Sequence, residues 1–391
     1  MDLRKQFVLS AMSAGANVSA LCRKFGISRT NGYKWIARFR EQGEFGLESR
    51  SRRPRRCVRV DGETVIRLLE LAHRYRWGPK KLRQLLINEH GTDKVPSVKT
   101  IGRVLERAGQ PKIRPARRRL RVVLRQREAL VVEAANDVWT VDFKGWWRTR
   151  DGKRFEPLTV RDDFSRFILC LQMLGSTCSK AVQAAFVILF ETHGLPKTIR
   201  VDNGTPFACT SAPCGLSRLS AWWISLGIHV SFSRPACPQD NGGHERMHVD
   251  VATDLEAQAS DSLQAQQRAA DDWLALFNHV RPHEALGMRC PADLYCRSPR
   301  PFLGSRDPRY PANFARRYVG SKGCVRFEGK SLFISEALIG HLIALRHRGP
   351  RFVTACFYHL NLGSFDLLAA PPNHPPRLFS PPNLSPLNHP A

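Results

Sequence analysis

Apolar positions recur at helical spacing near the start of the chain, which predicts two short helices over residues 18–40. Gly26 interrupts the pattern, and Ser28 can cap the second helix. The first helix has an apolar face formed by Val18, Leu21 and Phe25. The residues of the second helix that we expect to pack inward are Tyr33, Ile36 and Phe39. This spacing is typical of a helix-turn-helix, with a plain helical hairpin as the alternative.

A second helical region spans about residues 62–108. Trp77-Gly78-Pro79 marks a turn between its helices. Pro96 stops the segment before it, and Ser97 supplies an N-cap for a last helix. Two small helical modules in series are therefore predicted before the pattern changes.

From Val138 onward the pattern becomes that of strands. Three strands are predicted, at 138–143, 157–163 and 167–173. A helix with one apolar stripe comes next, formed by Val182, Phe186, Leu189 and Phe190. The remaining elements are a strand at 198–202, a helix with Leu219, Trp222, Trp223 and Leu226, a strand at 228–232 and a helix from about Gly243. The order βββαβαβα matches a ribonuclease-H-like α/β core.

The last third of the chain has a different character. A helical stretch at about 262–280 closes the α/β region. Short strands are then predicted around Val325 and Phe333 and at 342–346 and 352–358, which favours a small C-terminal β-barrel-like domain. The final 25 or so residues are rich in Pro and poor in apolar side chains, so we expect a disordered tail.

Charge adds a partner to this picture. Lys and Arg number 61 against 34 Asp and Glu, which gives a net charge of +27 and favours a polyanion such as nucleic acid. Two basic runs, at 50–59 and 112–127, are predicted to lie along phosphates. The candidate DNA-binding residues are Arg29, Asn31, Lys34, Arg38, Arg52, Arg53, Arg55, Arg56, Lys99, Arg103, Arg117, Arg118 and Arg119.

The cysteines and the apolar runs bear on location. The eleven cysteines include no Cys-x-x-Cys pair, so neither a disulfide framework nor a zinc ribbon is indicated, and a reducing cytoplasm fits best. The longest apolar run considered, Ala184 to Phe190, falls far short of the roughly 18 residues that a membrane span needs. We expect no membrane partner.

Three acidic residues stand where elements of the α/β region begin or end. Asp142 lies near the end of the first strand, Asp202 ends the strand at 198–202, and Glu245 opens the helix after Asp240-Asn241-Gly242-Gly243. Adjacent parallel strands bring their ends together, and carboxylates that repel one another are reasonable around Mg²⁺ or Mn²⁺. A pair of such ions is the standard arrangement for in-line phosphoryl displacement. For any one acid a simple turn role would be favoured, but three in this order favour a catalytic metal site.

Several motifs resemble bacterial insertion-sequence transposases of the DDE type with an integrase-like catalytic core. They are Trp139-Thr140-Val141-Asp142, Asp202-Asn203-Gly204-x-Pro206-Phe207, Ser233-Arg234-Pro235 with Pro238-Gln239-Asp240-Asn241-Gly242, His244-Glu245-Arg246-Met247-His248 and Asn278-His279-x-Arg281-Pro282-His283-Glu284-Ala285-Leu286. The resemblance implies that Asp142, Asp202 and Glu245 are the catalytic metal ligands. It also implies a metal-dependent transposase that cleaves the 3′ ends of double-stranded transposon DNA and joins them to target DNA, as a homo-oligomer in the bacterial nucleoid.

The resemblance completes the predicted domain organisation. The expected order is a helix-turn-helix domain at 1–48, a basic linker at 49–60, a second helical DNA-binding domain at 61–110, a basic linker at 111–130, an integrase-like core at 131–300, a small β-rich domain at 301–365 and a Pro-rich tail at 366–391. One departure concerns the helix of Glu245. Relatives often carry basic residues on the next turn for gripping transposon ends, whereas this chain has Val249 and Asp250.

Two other functions compete with this reading. The chain could be a catalytically inactive DNA-binding protein or repressor that descends from a transposase. His244-Glu245-x-x-His248 also matches the zinc-protease signature, which makes a zinc metallohydrolase a remote alternative. The basic runs and the helix-turn-helix spacing have no use in such an enzyme, so we expect the two histidines either to line a phosphate path or to pack locally.

Two further pairs of residues have competing roles. Asp162 and Asp163 lie at a hairpin, where a turn role is favoured over metal binding. Trp146 and Trp147 could stack on unpaired bases, although aromatic side chains that cover a sheet are commoner.

Overall fold

Helices form the N-terminal part of the chain, an α/β region the middle and antiparallel strands the C-terminal part. The computed structural model describes residues 2–49, 60–110, 130–209, 212–233, 242–368 and 378. Some predicted DNA-contact residues lie outside these ranges, namely Arg52, Arg53, Arg55, Arg56, Arg117, Arg118 and Arg119. Most of the predicted Pro-rich tail also lies outside them.

The chain divides by its internal packing into two units, Met1–Arg67 and Leu68–Ala391. The first contains helices α1 (Asp2–Met12), α2 (Val18–Lys24) and α3 (Arg29–Gln42). Ser28 caps α3 through a hydrogen bond from the Asn31 N–H, as predicted. Helix α1 was not predicted, and its Phe7 and Val8 complete the core of this unit. The predicted domain boundaries stay predictions.

The inward face of α3 differs from the prediction at one residue. Ile36 is buried and Phe39 packs against the core, but Tyr33 is 57% exposed. Gly32 lies inward instead, where a Cβ atom would come within 2.5 Å of the Cys22 Sγ and 2.9 Å of the Phe7 ring. The absence of a side chain at Gly32 lets α3 approach the other helices, which turns Tyr33 outward.

Three more helices follow, and buried apolar side chains between Leu68 and Leu105 form their shared core. They are α4 (Gly62–Tyr75), α5 (Pro79–His90) and α6 (Val98–Arg107). Ser97 caps α6 by accepting a hydrogen bond from the Thr100 N–H, as predicted. Pro79 occupies the first turn of α5, where its missing N–H costs nothing.

The α/β region is built on a mixed sheet. Its strands are β1 (Val138–Phe143), β2 (Trp147–Arg148), β3 (Arg154–Asp162), β4 (Ile168–Leu174), β5 (Thr198–Val201) and β6 (His229–Phe232). Strands β3, β1, β5 and β6 lie side by side in that order, and both β4 and β2 pair with β3. The predicted element order is confirmed, with the short β2 as an addition.

Helices cover both faces of this sheet. They are α7 (Ser179–His193), α8 (Arg218–Ser225), α9 (Gly242–Asp254) and α10 (Leu263–His279). Alternation along β1 directs Trp139 and Val141 to the core shared with α7 and α8. Thr140 and Asp142 therefore face the other side, where α9 and α10 pack against β3 and β4.

The C-terminal strands pack against α8. They are β7 (Ala315–Tyr318), β8 (Cys324–Phe327), β9 (Lys330–Phe333), β10 (Leu342–Arg348), β11 (Phe352–Phe357) and β12 (Leu360–Asp366). Four form an antiparallel sheet in the order β12-β11-β10-β7, and β8 pairs with β9. The region is β-rich as predicted, while these pairings describe two separate sheets and do not confirm a barrel. Among the described helices, none is long and apolar enough to cross a membrane.

We predict that Gly32→Ala destabilises the N-terminal unit. The added methyl group overlaps the Cys22 sulfur, and overpacking of this kind costs about 1–3 kcal/mol. Thermal and urea unfolding would measure the loss. Gly102→Ala, in α6, is the matched control, because a Cβ atom there would meet only Pro79, at 3.7 Å. This change should leave the free energy of unfolding equal or higher, since Ala is the better helix former. Equal effects of the two substitutions would contradict this account of α3.

Candidate active site

The parallel pairing of β1 with β5 sets the positions of the two aspartates. Val138 pairs with Thr198 and Thr140 with Arg200, so the same register continued by two residues places Asp142 beside Asp202. Neighbouring strands lie about 4.8 Å apart, and paired residues of parallel strands point to the same face. Asp142 and Asp202 therefore share one edge and one face of the sheet, as predicted from their places at strand ends.

The loop after β5 is packed onto the end of β1. The Gly204 N–H donates to the Asp202 carboxylate over 3.2 Å, and the Asn203 amide donates to the Ser233 carbonyl over 2.7 Å. Phe207 stacks on Phe143 with ring centroids 5.4 Å apart. The Asp-Asn-Gly-x-Pro-Phe motif thus ties the ends of β1, β5 and β6 together.

Helix α9 is fixed on the sheet by its two histidines. His244 Nε2 lies 2.7 Å from the Thr140 hydroxyl, and His244 Nδ1 lies 3.1 Å from the Thr159 hydroxyl. His248 Nε2 lies 3.1 Å from the same Thr159 oxygen. Thr140 belongs to β1 and Thr159 to β3, so the helix is hydrogen-bonded to both strands. Local packing is the role that the geometry supports for these histidines.

One arrangement of protons satisfies this network. The Thr159 hydroxyl donates its only proton to the Asp142 carbonyl over 2.8 Å, so its oxygen accepts from both histidine rings. His244 Nε2 then accepts from the Thr140 hydroxyl. Burial lowers the pKa of His244 well below its usual value, and burial followed by Lys144 lowers the pKa of His248 to about 4. Both rings are neutral at pH 7, as the network requires.

The start of α9 lies unusually close to β3. A Cβ atom at Gly243 would fall 2.1 Å from the Arg161 guanidinium, which is itself buried and pairs with Asp163 at 2.8 Å. Only glycine allows this approach. Glu245, two residues further along, is thereby brought toward the edge of the sheet that carries Asp142.

The far end of α9 is held by the Asn-His-x-Arg-Pro-His motif. Asn278 at the end of α10 forms 2.9 Å hydrogen bonds with both the N–H and the carbonyl of Ile168 in β4. Arg281 pairs with Asp250 of α9 at 2.8 Å, and Arg246 lies 3.6 Å from the same carboxylate. The motif is therefore a brace between α10, β4 and α9.

The three predicted acids influence one another through their charges, although their carboxylates are not in direct contact. Burial, followed by the charges of Asp202 and then Glu245, raises the pKa of Asp142 to about 6. Asp202 and Glu245 are exposed. Among the described residues, one group of three potential metal ligands has donor atoms within 4.8 Å of one another, and it is Asp142, His244 and His248. The carboxylate oxygens of the three predicted acids do not all lie within that distance of one another.

The zinc interpretation of the His-Glu-x-x-His motif fits this geometry poorly. Both nitrogens of His244 are occupied by threonine hydroxyls, and the ring is buried. A zinc site would need lone pairs on both histidines. Asp142, whose pKa is raised by burial and by the neighbouring charges of Asp202 and Glu245, offers a hard oxygen ligand of the kind that a divalent cation favours.

The other predicted DNA-contact residues within the described ranges belong to helices α3 and α6. Arg29, Asn31, Lys34, Lys99 and Arg103 are exposed. Arg38 is half-buried, with its guanidinium 5.2 Å from the centre of the Trp35 ring.

Two aromatic and two acidic residues were predicted with competing roles. Trp147 is buried against Phe155, whereas Trp146 is 52% exposed. The Asp162 carboxylate accepts from Ser165 and from the Asn136 N–H, which is the structural turn role. Asp163 pairs with Arg161.

Comparison with known families decides the identity of the central region. Residues 132–238 and 226–291 both match the family described as "Integrase core domain". The chain carries an integrase core. Residues 3–55 match a "Helix-turn-helix domain" and residues 31–105 a "Homeodomain-like domain", so helix-turn-helix domains precede the integrase core.

Known relatives come from bacterial insertion elements. The chain is 28% identical over 235 residues to the insertion element IS476 uncharacterized 39.2 kDa protein of Xanthomonas euvesicatoria. This alignment covers 58% of this chain and 62% of that protein. It is 28% identical over 229 residues to the IS407 uncharacterized 31.7 kDa protein of Burkholderia multivorans, with 58% and 78% covered. The resemblance to insertion-sequence transposases of the DDE type is confirmed.

A solved structure is also similar to the integrase core. The catalytic core domain of HTLV-2 integrase, determined in complex with magnesium, aligns with a TM-score of 0.33 and 16% identity. The alignment covers 42% of this chain and 98% of that domain.

We predict that Thr159→Val destabilises the integrase core by about 1–3 kcal/mol, because two buried ring N–H groups lose their acceptor. Thr159→Ser keeps the hydroxyl and should lose only roughly 1 kcal/mol for the missing methyl group. Urea unfolding of both variants tests the difference. Equal losses would mean that the hydroxyl does not hold α9.

We also predict that Asp142→Asn stabilises the metal-free protein above pH 6. The folded pKa of Asp142, about 6, exceeds the ordinary value of 3.8, so its ionisation lowers stability as the pH rises from about 4 to about 6, and the full cost remains above that pH. The amide removes this cost, which is about 1–3 kcal/mol. Urea unfolding with a chelator should give a gain at pH 8 that disappears near pH 4. Asp272→Asn, on the exposed side of α10, is the control, and a gain independent of pH would contradict the prediction.

Proposed function

We propose that this protein is a metal-dependent transposase. It binds the double-stranded DNA ends of a mobile element, cleaves their 3′ ends and joins them to target DNA. The observation that carries the proposal is the β1–β5 register, which sets Asp142 beside Asp202 under a helix that bears Glu245. The relation to insertion-element proteins supports the same reaction class.

Each part of the site has a role in this reaction. Asp142, Asp202 and Glu245 would hold Mg²⁺ or Mn²⁺, as two ions in each site. When bound, such a pair activates the attacking oxygen and stabilises the leaving 3′ oxygen. The histidine and threonine network fixes the start of α9, so that Glu245 is presented at a set distance from the strand ends. Half-burial of Asp142 limits water around its carboxylate, which strengthens its attraction for a cation.

The remaining regions would bind the DNA and hold it for the reaction. We propose that the exposed polar residues of α3 and α6 contact DNA, with the two basic runs lying along phosphates. Two transposon ends must be held together for joining, so the active form would be a homo-oligomer on DNA. The protein would act on the bacterial chromosome in the cytoplasm, at the nucleoid. The divisions at residues 48, 110, 130, 300 and 365 are proposed as the domain boundaries.

The decisive experiment is strand cleavage and transfer on labelled duplexes taken from the DNA that flanks the gene. With Mg²⁺ we expect nicking at the 3′ ends and joined products. Asp202→Asn should lower the rate by about 10²–10³-fold, since one carboxylate ligand is worth several kcal/mol of transition-state stabilisation. DNA binding, measured in parallel by mobility shift, should be unchanged.

Asp272→Asn is the matched control and should retain full activity, because Asp272 is exposed on α10. Activity that survives Asp202→Asn would overturn the three-carboxylate mechanism. Binding of the flanking DNA by the wild-type protein without any cleavage would instead favour a repressor derived from a transposase.

A further inference from the structure

A cationic cluster lies where α5 meets α9 and the segment after α10. Lys80 of α5 pairs with Glu284 at 2.7 Å, which brings the start of α5 against residues 281–284. Val280 packs into the core of helices α4 to α6. Arg281 and Arg246 both contact Asp250. Three cationic side chains, those of Lys80, Arg246 and Arg281, thus pair with two carboxylates, and Lys81 follows Lys80 in the same helix.

Several donors in this cluster have no acceptor among the described residues. The Arg281 Nε is buried and unpaired, in a residue that is only 7% exposed. The buried His283 Nε2, which is a donor in one of the two neutral tautomers, is also unpaired. The Lys81 ammonium has no hydrogen-bond partner within these ranges and lies 5.7 Å from the centre of the Trp77 ring. Buried donors are almost always satisfied, so the unpaired Arg281 nitrogen is unusual among the described residues.

The electrostatics of this cluster favour an anion as its ligand. Burial, followed by Arg281, lowers the pKa of Lys81 to about 8. Burial, followed by Lys81 and Arg281, lowers the pKa of His283 to about 3. Positive charge at this cluster therefore exceeds the charge of the carboxylates of Asp250 and Glu284.

We infer that Lys81, Arg246 and Arg281 form a binding site for a phosphodiester of the DNA backbone. The inference rests on the proposed function, which puts DNA at α9. Glu245 and Asp250 lie about 140° apart around this helix, on its two flanks. A strand that crosses the exposed top of α9, past Val249, would span roughly 10 Å from the carboxylates to this cluster. The cationic side chains that contact the DNA thus come from α5, α9 and the segment after α10.

A salt-dependence measurement tests the site without catalysis. Binding of the flanking-DNA duplex is measured over a range of salt in the presence of a chelator. Lys81→Gln should make the slope of log K against log salt shallower by about 0.9, the value for one phosphate contact. Lys180→Gln, an exposed lysine on α7 across the sheet, should leave the slope unchanged. Equal slopes for wild type and Lys81→Gln would overturn the proposal.

A second measurement identifies the phosphate. Duplexes in which one phosphate at a time is a neutral methylphosphonate should reveal a position that weakens wild-type binding and leaves Lys81→Gln unaffected. Competition with inorganic phosphate separates the two sources of the anion. If inorganic phosphate binds the wild type but not Lys81→Gln, and the DNA slopes coincide, the site takes a free anion and the DNA assignment is wrong.

These outcomes are separable from those of the proposed function. If the salt slopes of wild type and Lys81→Gln are equal while the protein still cleaves DNA, only the phosphate site is disproved. A slope difference in a protein that never cleaves DNA keeps the site and removes the catalytic proposal.

Discussion

The parallel pairing of β1 with β5 is the constraint on which the site depends. It sets the two aspartates side by side, and it also fixes which face of β1 carries Thr140 and Asp142. The antiparallel register of β1 with β3 then places Thr159 directly opposite Asp142. Helix α9 has its hydroxyl partners only because both registers hold. A shift of one residue in either strand would turn the threonines to the other face.

Helix α9 has a different task on each of its sides. His244, Met247, His248 and Val251 face the sheet and hold the helix there. Glu245 lies on one flank and Asp250 on the other. The acid at position 250, which seemed to replace a basic grip, is the anchor for Arg246 and Arg281. One acidic residue thereby pairs with a cation of its own helix and with one from the segment after α10.

The sequence was sufficient wherever the information was local. The strands at 138–143 and 198–202, the Ser28 and Ser97 caps and the strand-end positions of Asp142 and Asp202 all follow from patterns within a few residues. Tyr33 was assigned inward wrongly because the spacing alone does not reveal that Gly32 makes the close contact.

The parts that were missed depend on contacts between distant segments. The roles of His244 and His248 need the cross-strand position of Thr159, 85 residues from His244. Strand β7 was missed because three of its four residues are exposed, which leaves no apolar alternation to detect. The lysines of α5 beside α9 involve a separation of 204 residues between Lys80 and Glu284, which no local pattern contains.

The contact between α5 and the segment after α10 restricts how such proteins can exchange parts during evolution. A recombination event that replaced residues 61–110 with those of another element would bring in a new α5 against an unchanged Glu284 and Asp250. Unless the incoming helix carried basic residues at the positions of Lys80 and Lys81, two carboxylates would lose cationic neighbours. The helices at 61–110 and helix α9 are therefore expected to be inherited together.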